Sequence, residues 1–226
     1  MDTSIEEYLE PTDILDSDHP DVVQFADNTV EGTTDPVEQA IRLFYAVRDQ
    51  IAYDVRVPFY LPEHYRASNI LKWKRGYCVP KASLLCASGR AVGIPSRLGF
   101  ADIRNRGATK EVIAMLGSDI FAYHSFVEFL LEGKWVRATP AFDAPIFERH
   151  RIAPVEFDGR SDAMFPSEDL DGNPYVEYLI YHGSFADVPL EPILEAWVKY
   201  YGPDRVSLWI EGFENNQNTM QSSFHL

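Results

Sequence analysis

The chain has 226 residues, and its 20 Lys and Arg stand against 35 Asp and Glu, a formal charge of −15. So acidic a balance excludes the basic footprint that binding nucleic acid or an anionic membrane requires. At this length folding hides roughly 70% of the unfolded chain's surface, so a core forms without staples. Cys78 and Cys86 are the only cysteines, which excludes a disulfide-dense scaffold and a zinc site of several thiolates. They lie eight residues apart on a predicted helix, about 12 Å along its axis, too far for the roughly 7 Å Cα separation a disulfide allows. Unpaired thiols, an acidic N-terminus without a leader's basic and apolar regions and no run of about 20 apolar residues predict a cytoplasmic protein, with no membrane and no nucleic acid as partner.

In chain order, residues 1–34 are acidic and weakly patterned and end in a turn-rich stretch. Asp35-Pro36 then opens a helix, a capping side chain followed by proline at the first helical position. Val37, Ala40, Ile41, Phe44, Tyr45 and Val47 recur at helical spacing to about residue 50. An extended piece begins at Ile51-Ala52-Tyr53, and residues 54–76 are irregular, with a helical turn near 68–71. Gly76 permits a tight approach, Pro80 suits a helix's first turn but not its middle, and Gly93 followed by Pro95 stops the helix. Cys78 therefore stands at a helix N-terminus, with Ala82, Leu84, Leu85, Ala87, Ala91 and Val92 on the buried side.

Residues 96–103 read as a strand and 104–120 as a connection. A hairpin follows: one arm at 124–131, a Glu132-Gly133 turn, and a second arm at 134–140. Beyond 144 come an acidic loop over 158–171, a helix over about 191–201 stopped by Gly202-Pro203, and a polar tail from Asn215.

A helix N-terminus presents unpaired N–H groups and the positive end of the dipole, both of which favour thiolate. That makes Cys78 the candidate nucleophile and Cys86, mid-helix among apolar neighbours, a core residue. Of six histidines, His124 opens a strand and is the candidate base. A two-residue turn pairs Leu131 with Lys134; continued, that register sets His124 opposite Ala141, with Thr139 and Asp143 as diagonal neighbours about 7–8 Å away. Asp143 is then the best-placed carboxylate for holding the imidazole, or else a cap where the strand ends. No His-Glu-x-x-His, Cys-x-x-Cys or phosphate-cradling glycine loop occurs, so no metal and no cofactor is expected.

RGYCVPKASLLCASGRAVGIPSR resembles the nucleophile helix of the transglutaminase-like superfamily, in which Gly-x-Cys opens a helix that ends in a Gly-Ile-Pro-x-Arg turn. AYHSFVEFLLEGKWVRATPAFD resembles the following hairpin, and the helix over 35–50 with its Ala52-Tyr53-Asp54 exit also matches. EFDGRSDAMF and SFADVPLE look like segments of bacterial members. The resemblance implies an α+β fold with a papain-like transglutaminase core, the nucleophile at the N-terminus of a helix packed on an antiparallel sheet. It implies a Cys-His-Asp triad, with Cys78 as nucleophile and His124 as base. Thr139 stands where the family places its Asp, so either Asp143 supplies the carboxylate or the Thr139 hydroxyl orients the ring. Lys81, three residues after the nucleophile, stands where many members carry an acidic or polar residue.

The expected organisation is an acidic segment at 1–34, the catalytic core at 35–143, an extension packed on it at 144–214, which could also act as a lid, and a flexible tail at 215–226. The expected activity is cysteine-dependent acyl transfer from a carboxamide, in a peptide, a protein or a small amide, through a thioester, with hydrolysis favoured over crosslinking. The alternative is a catalytically altered or inactive binding module on the same fold.

Overall fold

The computed structural model of the protein describes residues 5–222, with side chains as far as residue 215. Helix α1 (Pro20–Val30), helix α2 (Pro36–Gln50) and helix α3 (Ala67–Trp73) pack on helix α4 (Cys78–Ala91). Helix α4 also lies against a four-stranded antiparallel sheet in the order β5-β4-β3-β6. The strands are β3 (Ser96–Asn105), β4 (Ile120–Leu131), β5 (Lys134–Ala138) and β6 (Val176–Phe185). A separate parallel bridge joins β1 (Ala52–Tyr53) to β2 (Arg75–Gly76), immediately before α4.

The local chemistry accounts for these elements. Asp35 accepts a hydrogen bond from the Val37 N–H at 3.1 Å and Pro36 fills the first helical position of α2. A Cβ on Gly76 would come within 2.8 Å of the Pro80 Cβ, so only glycine lets β2 run this close to the first turn of α4.

Helix α4 is buried on nearly every side from Val79 to Arg90, beyond the single apolar face its sequence suggests. Its polar side chains find internal acceptors, as burial demands. Ser83 and Ser88 donate to Val79 O and Leu84 O one turn back. Arg90 donates to the carbonyls of Ser96, Glu10 and Ala186, tying the helix to the sheet, the N-terminal segment and the C-terminal extension.

The hairpin forms in the expected register, Leu131 opposite Lys134, across a turn with φ of 48° at Glu132 and 80° at Gly133. Two consecutive positive φ values match the twist of the flanking strands. The ladder stops at Val127–Ala138, so His124 faces Ala101 of β3 and not Ala141. Pro140 has no N–H to extend the ladder, and the Thr139 N–H donates to Ala163 O at 2.9 Å.

Several elements were not expected. Helix α1 lies inside the acidic N-terminal stretch, with only Val22, Ala26 and Val30 buried, too sparse an apolar pattern to read from sequence. A two-turn helix α5 (Lys110–Leu116), capped by Thr109, occupies the connection after β3. A further short helix α6 (Ala144–His150) follows the hairpin, and β6 forms a sheet edge. Helix α7 (Leu190–Tyr201) ends at Gly202 as expected, but Pro203 then starts helix α8 (Pro203–Ser222), since proline suits a first helical position. Of the tail expected to be flexible from 215, residues 215–222 continue α8, and 223–226 lie outside the described residues.

Candidate active site

Cys78 occupies the first position of α4, after Tyr77 as the cap residue. The β1–β2 bridge sets Tyr53 opposite Gly76, beside the thiol. The helix terminus alone would favour thiolate, but burial wins: it pushes the Cys78 thiol up to about 11, against smaller opposing effects of the Ser125, Val79 and Cys78 N–H groups. The titratable side chains that feel this sulfur are tyrosines, among them Tyr53, Tyr77, Tyr178 and Tyr201. Among the described residues no cation assists its ionisation.

His124 is buried in β4, and burial alone pushes its imidazole down to about 3. Its ring packs on Phe165 at 4.9 Å between centroids and meets the edge of Tyr178 at 6.2 Å. The Thr139 Oγ1 lies 3.3 Å from His124 Nε2. That contact engages Nε2 and leaves Nδ1 as the ring nitrogen that Thr139 does not hold. A hydroxyl can either donate to Nε2 or accept from it, so Thr139, unlike a carboxylate, does not fix the tautomer. No hydrogen bond links Cys78 to His124 among the described residues; the two side chains are brought together as walls of one cavity.

Asp143 is not brought to His124. It stands at the cap position of α6 without capping it; its Oδ2 accepts from the Tyr53 N–H at 2.8 Å and its Oδ1 is buried without a partner. Its charge acts on Lys81, which is fully buried one turn after Cys78 and donates to Arg48 O at 2.9 Å and Ile51 O at 2.5 Å. Desolvation pushes the Lys81 ammonium down to about 7, with Asp143 pulling the other way. Lys81 and Asp143 thus tie α4 to the end of α2 and to β1, the elements that hold Tyr53 beside the thiol. Cys86 is free and fully buried.

Asp102 was not singled out from sequence. Buried in β3, it accepts from the Tyr123 N–H at 3.0 Å, from His182 Nε2 at 2.7 Å and from the Tyr200 hydroxyl at 2.9 Å. Tyr123 precedes His124, has φ of 55° and stacks on His182 at 4.1 Å. One carboxylate therefore secures the left-handed backbone next to His124 and links it to β6 and α7. A carboxylate within the otherwise apolar run Phe100-Ala101-Asp102-Ile103 was the available signal.

The cavity holding Cys78 and His124 has a volume of about 370 Å³. Its far wall comes from the C-terminal extension: Trp197 and Tyr201 of α7, and Leu208, Trp209 and Phe213 of α8. Among the described residues no group of three or more His, Cys, Asp or Glu could hold a metal ion, and no helix is long and apolar enough to cross a membrane.

The sequence profile of the transglutaminase-like superfamily matches residues 23–140, more than half of the chain. This protein belongs to the transglutaminase-like superfamily. The match takes in the β1–β2 bridge, the whole of α4 and the hairpin as far as Thr139, so Cys78, His124 and Thr139 all fall inside it, while Asp143 and the α7–α8 wall fall outside. Among solved structures the chain is similar to a "putative cysteine protease" from Cytophaga hutchinsonii, at 18% identity and a TM-score of 0.53 over 85% of this chain. It spans half the length of that protein. A comparison with curated proteins found no match. Membership in the superfamily supports a cysteine-dependent enzyme as the general class.

Proposed function

We propose that this transglutaminase-like protein is a cysteine-dependent acyl-transfer hydrolase acting on a carboxamide, with Cys78 as nucleophile, His124 as base and Thr139 as the group that orients His124. The observation that carries the reading is that Cys78, at the head of α4, and His124, held at Nε2 by Thr139, line one cavity.

The resting pair is neutral. A thiol near 11 and an imidazole near 3 make full proton transfer cost roughly 11 kcal/mol before the product ions attract each other. At about 4 Å and an effective dielectric of 20 that attraction returns about 4 kcal/mol. His124 therefore takes the proton as sulfur attacks the carbonyl carbon, as a general base in the transition state. The C–S bond forms, the carbonyl oxygen becomes an oxyanion, and the Cys78 N–H at the helix start is the candidate donor to it. His124 gives the proton to the leaving amine as the C–N bond breaks, which leaves a thioester; water then cleaves it and restores the thiol.

Hydrolysis is favoured over crosslinking by the cavity's charge. No Asp or Glu is among the described residues that line it, so no carboxylate there draws an incoming lysine ammonium to the thiol before it sheds its proton to attack. The substrate is a peptide, a protein or a small amide.

The test is an activated acyl ester followed by intact mass. The expected result is one acyl adduct on Cys78, absent from Cys78→Ala and slowed at least a hundredfold in His124→Ala. No adduct, or an adduct on Cys86, refutes the proposal. Thr139 in place of a carboxylate, together with the lack of a Cys78–His124 hydrogen bond, favours a second reading, a binding module without turnover, and the same absence of adduct would support it.

A further inference from the structure

The cavity beside Cys78 differs in character from the rest of a chain with a net charge of −15. Among the described residues that line it, Arg56 carries the only full charge, and its side chain points largely to solvent, where it pairs with Asp54 at 3.2 Å. The rest of the wall is mostly apolar or aromatic. Phe59, between β1 and α3, is its centre: Trp197 packs on it at 4.7 Å between centroids, Phe213 at 6.1 Å and Trp209 at 6.2 Å. Val112 and Met115 of α5 close another side. A volume of about 370 Å³ falls in the roughly 300–1,000 Å³ range of small-molecule sites. A polar or charged group placed here would lose its hydration and meet few partners, whereas an aromatic or branched aliphatic group would exchange water for rings.

We infer that this cavity is an acyl-side subsite that selects an apolar, preferably aromatic, group next to the carboxamide carbonyl presented to Cys78. The inference deepens the acyl-transfer reading and rests on it for the identity of the occupant, because the nucleophile forms part of the same wall. It implies that phenylalanine-like acyl groups are preferred to glutamine-like ones of equal net charge. Apolar pockets discriminate by about 10- to 200-fold, so a preference of at least about tenfold is expected.

Binding and chemistry can be read separately. In Cys78→Ala, titration with N-acetylphenylalaninamide and with N-acetylglutaminamide is followed by tryptophan fluorescence, since Trp197 and Trp209 line the site. Both ligands are neutral, so the chain's overall charge does not bias the comparison. The expected result is a Kd at least about tenfold lower for the phenylalanine amide. Leu208, at the mouth of the cavity and 65% exposed, can be changed without disturbing the core, and Leu208→Glu is expected to cut the ratio to about threefold or less. Equal affinity for the two amides, or a ratio that Leu208→Glu leaves untouched, overturns the subsite. Acyl-adduct formation on the wild-type protein tests the nucleophile alone. An inert Cys78 combined with a tenfold binding ratio would remove the acyl-transfer reading and leave the apolar site standing.

Discussion

Replacing Thr139 with Asp would put a carboxylate where a hydroxyl now lies 3.3 Å from His124 Nε2. At that distance and an effective dielectric of 20, a carboxylate and an imidazolium attract by about 5 kcal/mol. Thr139 is 1% exposed, so much of that gain offsets the cost of burying the new charge. An opposite charge this close typically leaves a shift of about one to three units toward the charged form of the ring. His124 should then titrate well above its present value of about 3, and the thiolate–imidazolium pair should become about 10- to 1,000-fold more populated. A carboxylate also accepts only, so it holds the proton on Nε2 and keeps Nδ1 free as the base.

The assay is the rate of iodoacetamide alkylation of Cys78 against pH, read by peptide mass. In the wild type, with the thiol near 11, alkylation at pH 7 should be slow and rise with pH. In Thr139→Asp a plateau should appear near neutral pH, about tenfold above the wild type, because direct ionisation of a thiol near 11 already gives the wild type more thiolate at pH 7 than its own ion pair does. Thr139→Asn, similar in volume and uncharged, should give no such gain. Circular dichroism and the melting temperature establish that each variant is folded. If folded Thr139→Asp alkylates within threefold of the wild type at pH 7, or if Asn does as well as Asp, the electrostatic account of this site is wrong.

Asp143→Asn keeps an acceptor for the Tyr53 N–H and should change the acylation rate less than threefold, whereas Thr139→Ala should lower it about tenfold; the reverse order would return Asp143 to the imidazole. Buried Lys81 sheds its proton near 7, while in the unfolded chain it holds it to about 10.5, so native stability should rise with pH from 7, by up to about 1.4 kcal/mol per unit. Urea titrations at pH 7 and 8, below the value of 9.0 at which the unfolded thiols ionise and the two raised cysteines begin to oppose the trend, should show that slope in the wild type and lose it in Lys81→Met; an unchanged slope refutes the assignment. Buried His124 stays neutral to about 3, while the unfolded ring protonates below about 6.5, so stability should fall as pH drops through that window, by roughly 3 kcal/mol at pH 4. His124→Asn should remove that part of the acid loss, measured as the difference between the two proteins' urea midpoints at pH 7 and pH 4.

What sequence could read here was set by short-range rules. Gly76, Pro80, Gly93 and Pro95 punctuate α4 because each has one backbone use, and the Glu132-Gly133 turn fixes the hairpin register because two positive φ values admit few alternatives. Thr139 ranked behind Asp143 for an equally specific reason. Ranking Asp143 above Thr139 as diagonal neighbours of His124 assumed that the ladder ran on past Ala138. Pro140 offers no N–H there, the Thr139 N–H goes to Ala163 O, and the chain turns so that the threonine meets Nε2 while Asp143 reaches the Tyr53 N–H. The ionisation state was hidden by a difference in range. The helix-terminus effect on Cys78 follows from its position in α4, but the burial that outweighs it exists only in the folded cavity, whose wall includes residues far away in the chain, among them Phe165 and, from the C-terminal extension, Trp197, Trp209 and Phe213. The last three belong to α7 and α8, in the extension that follows the catalytic core. Burial makes the thiol hard to ionise, and the cavity wall beside it is mostly apolar. The reluctance of Cys78 to become thiolate at rest and its selection of an apolar acyl group thus share one cause, and a substitution that wets the cavity should relax both.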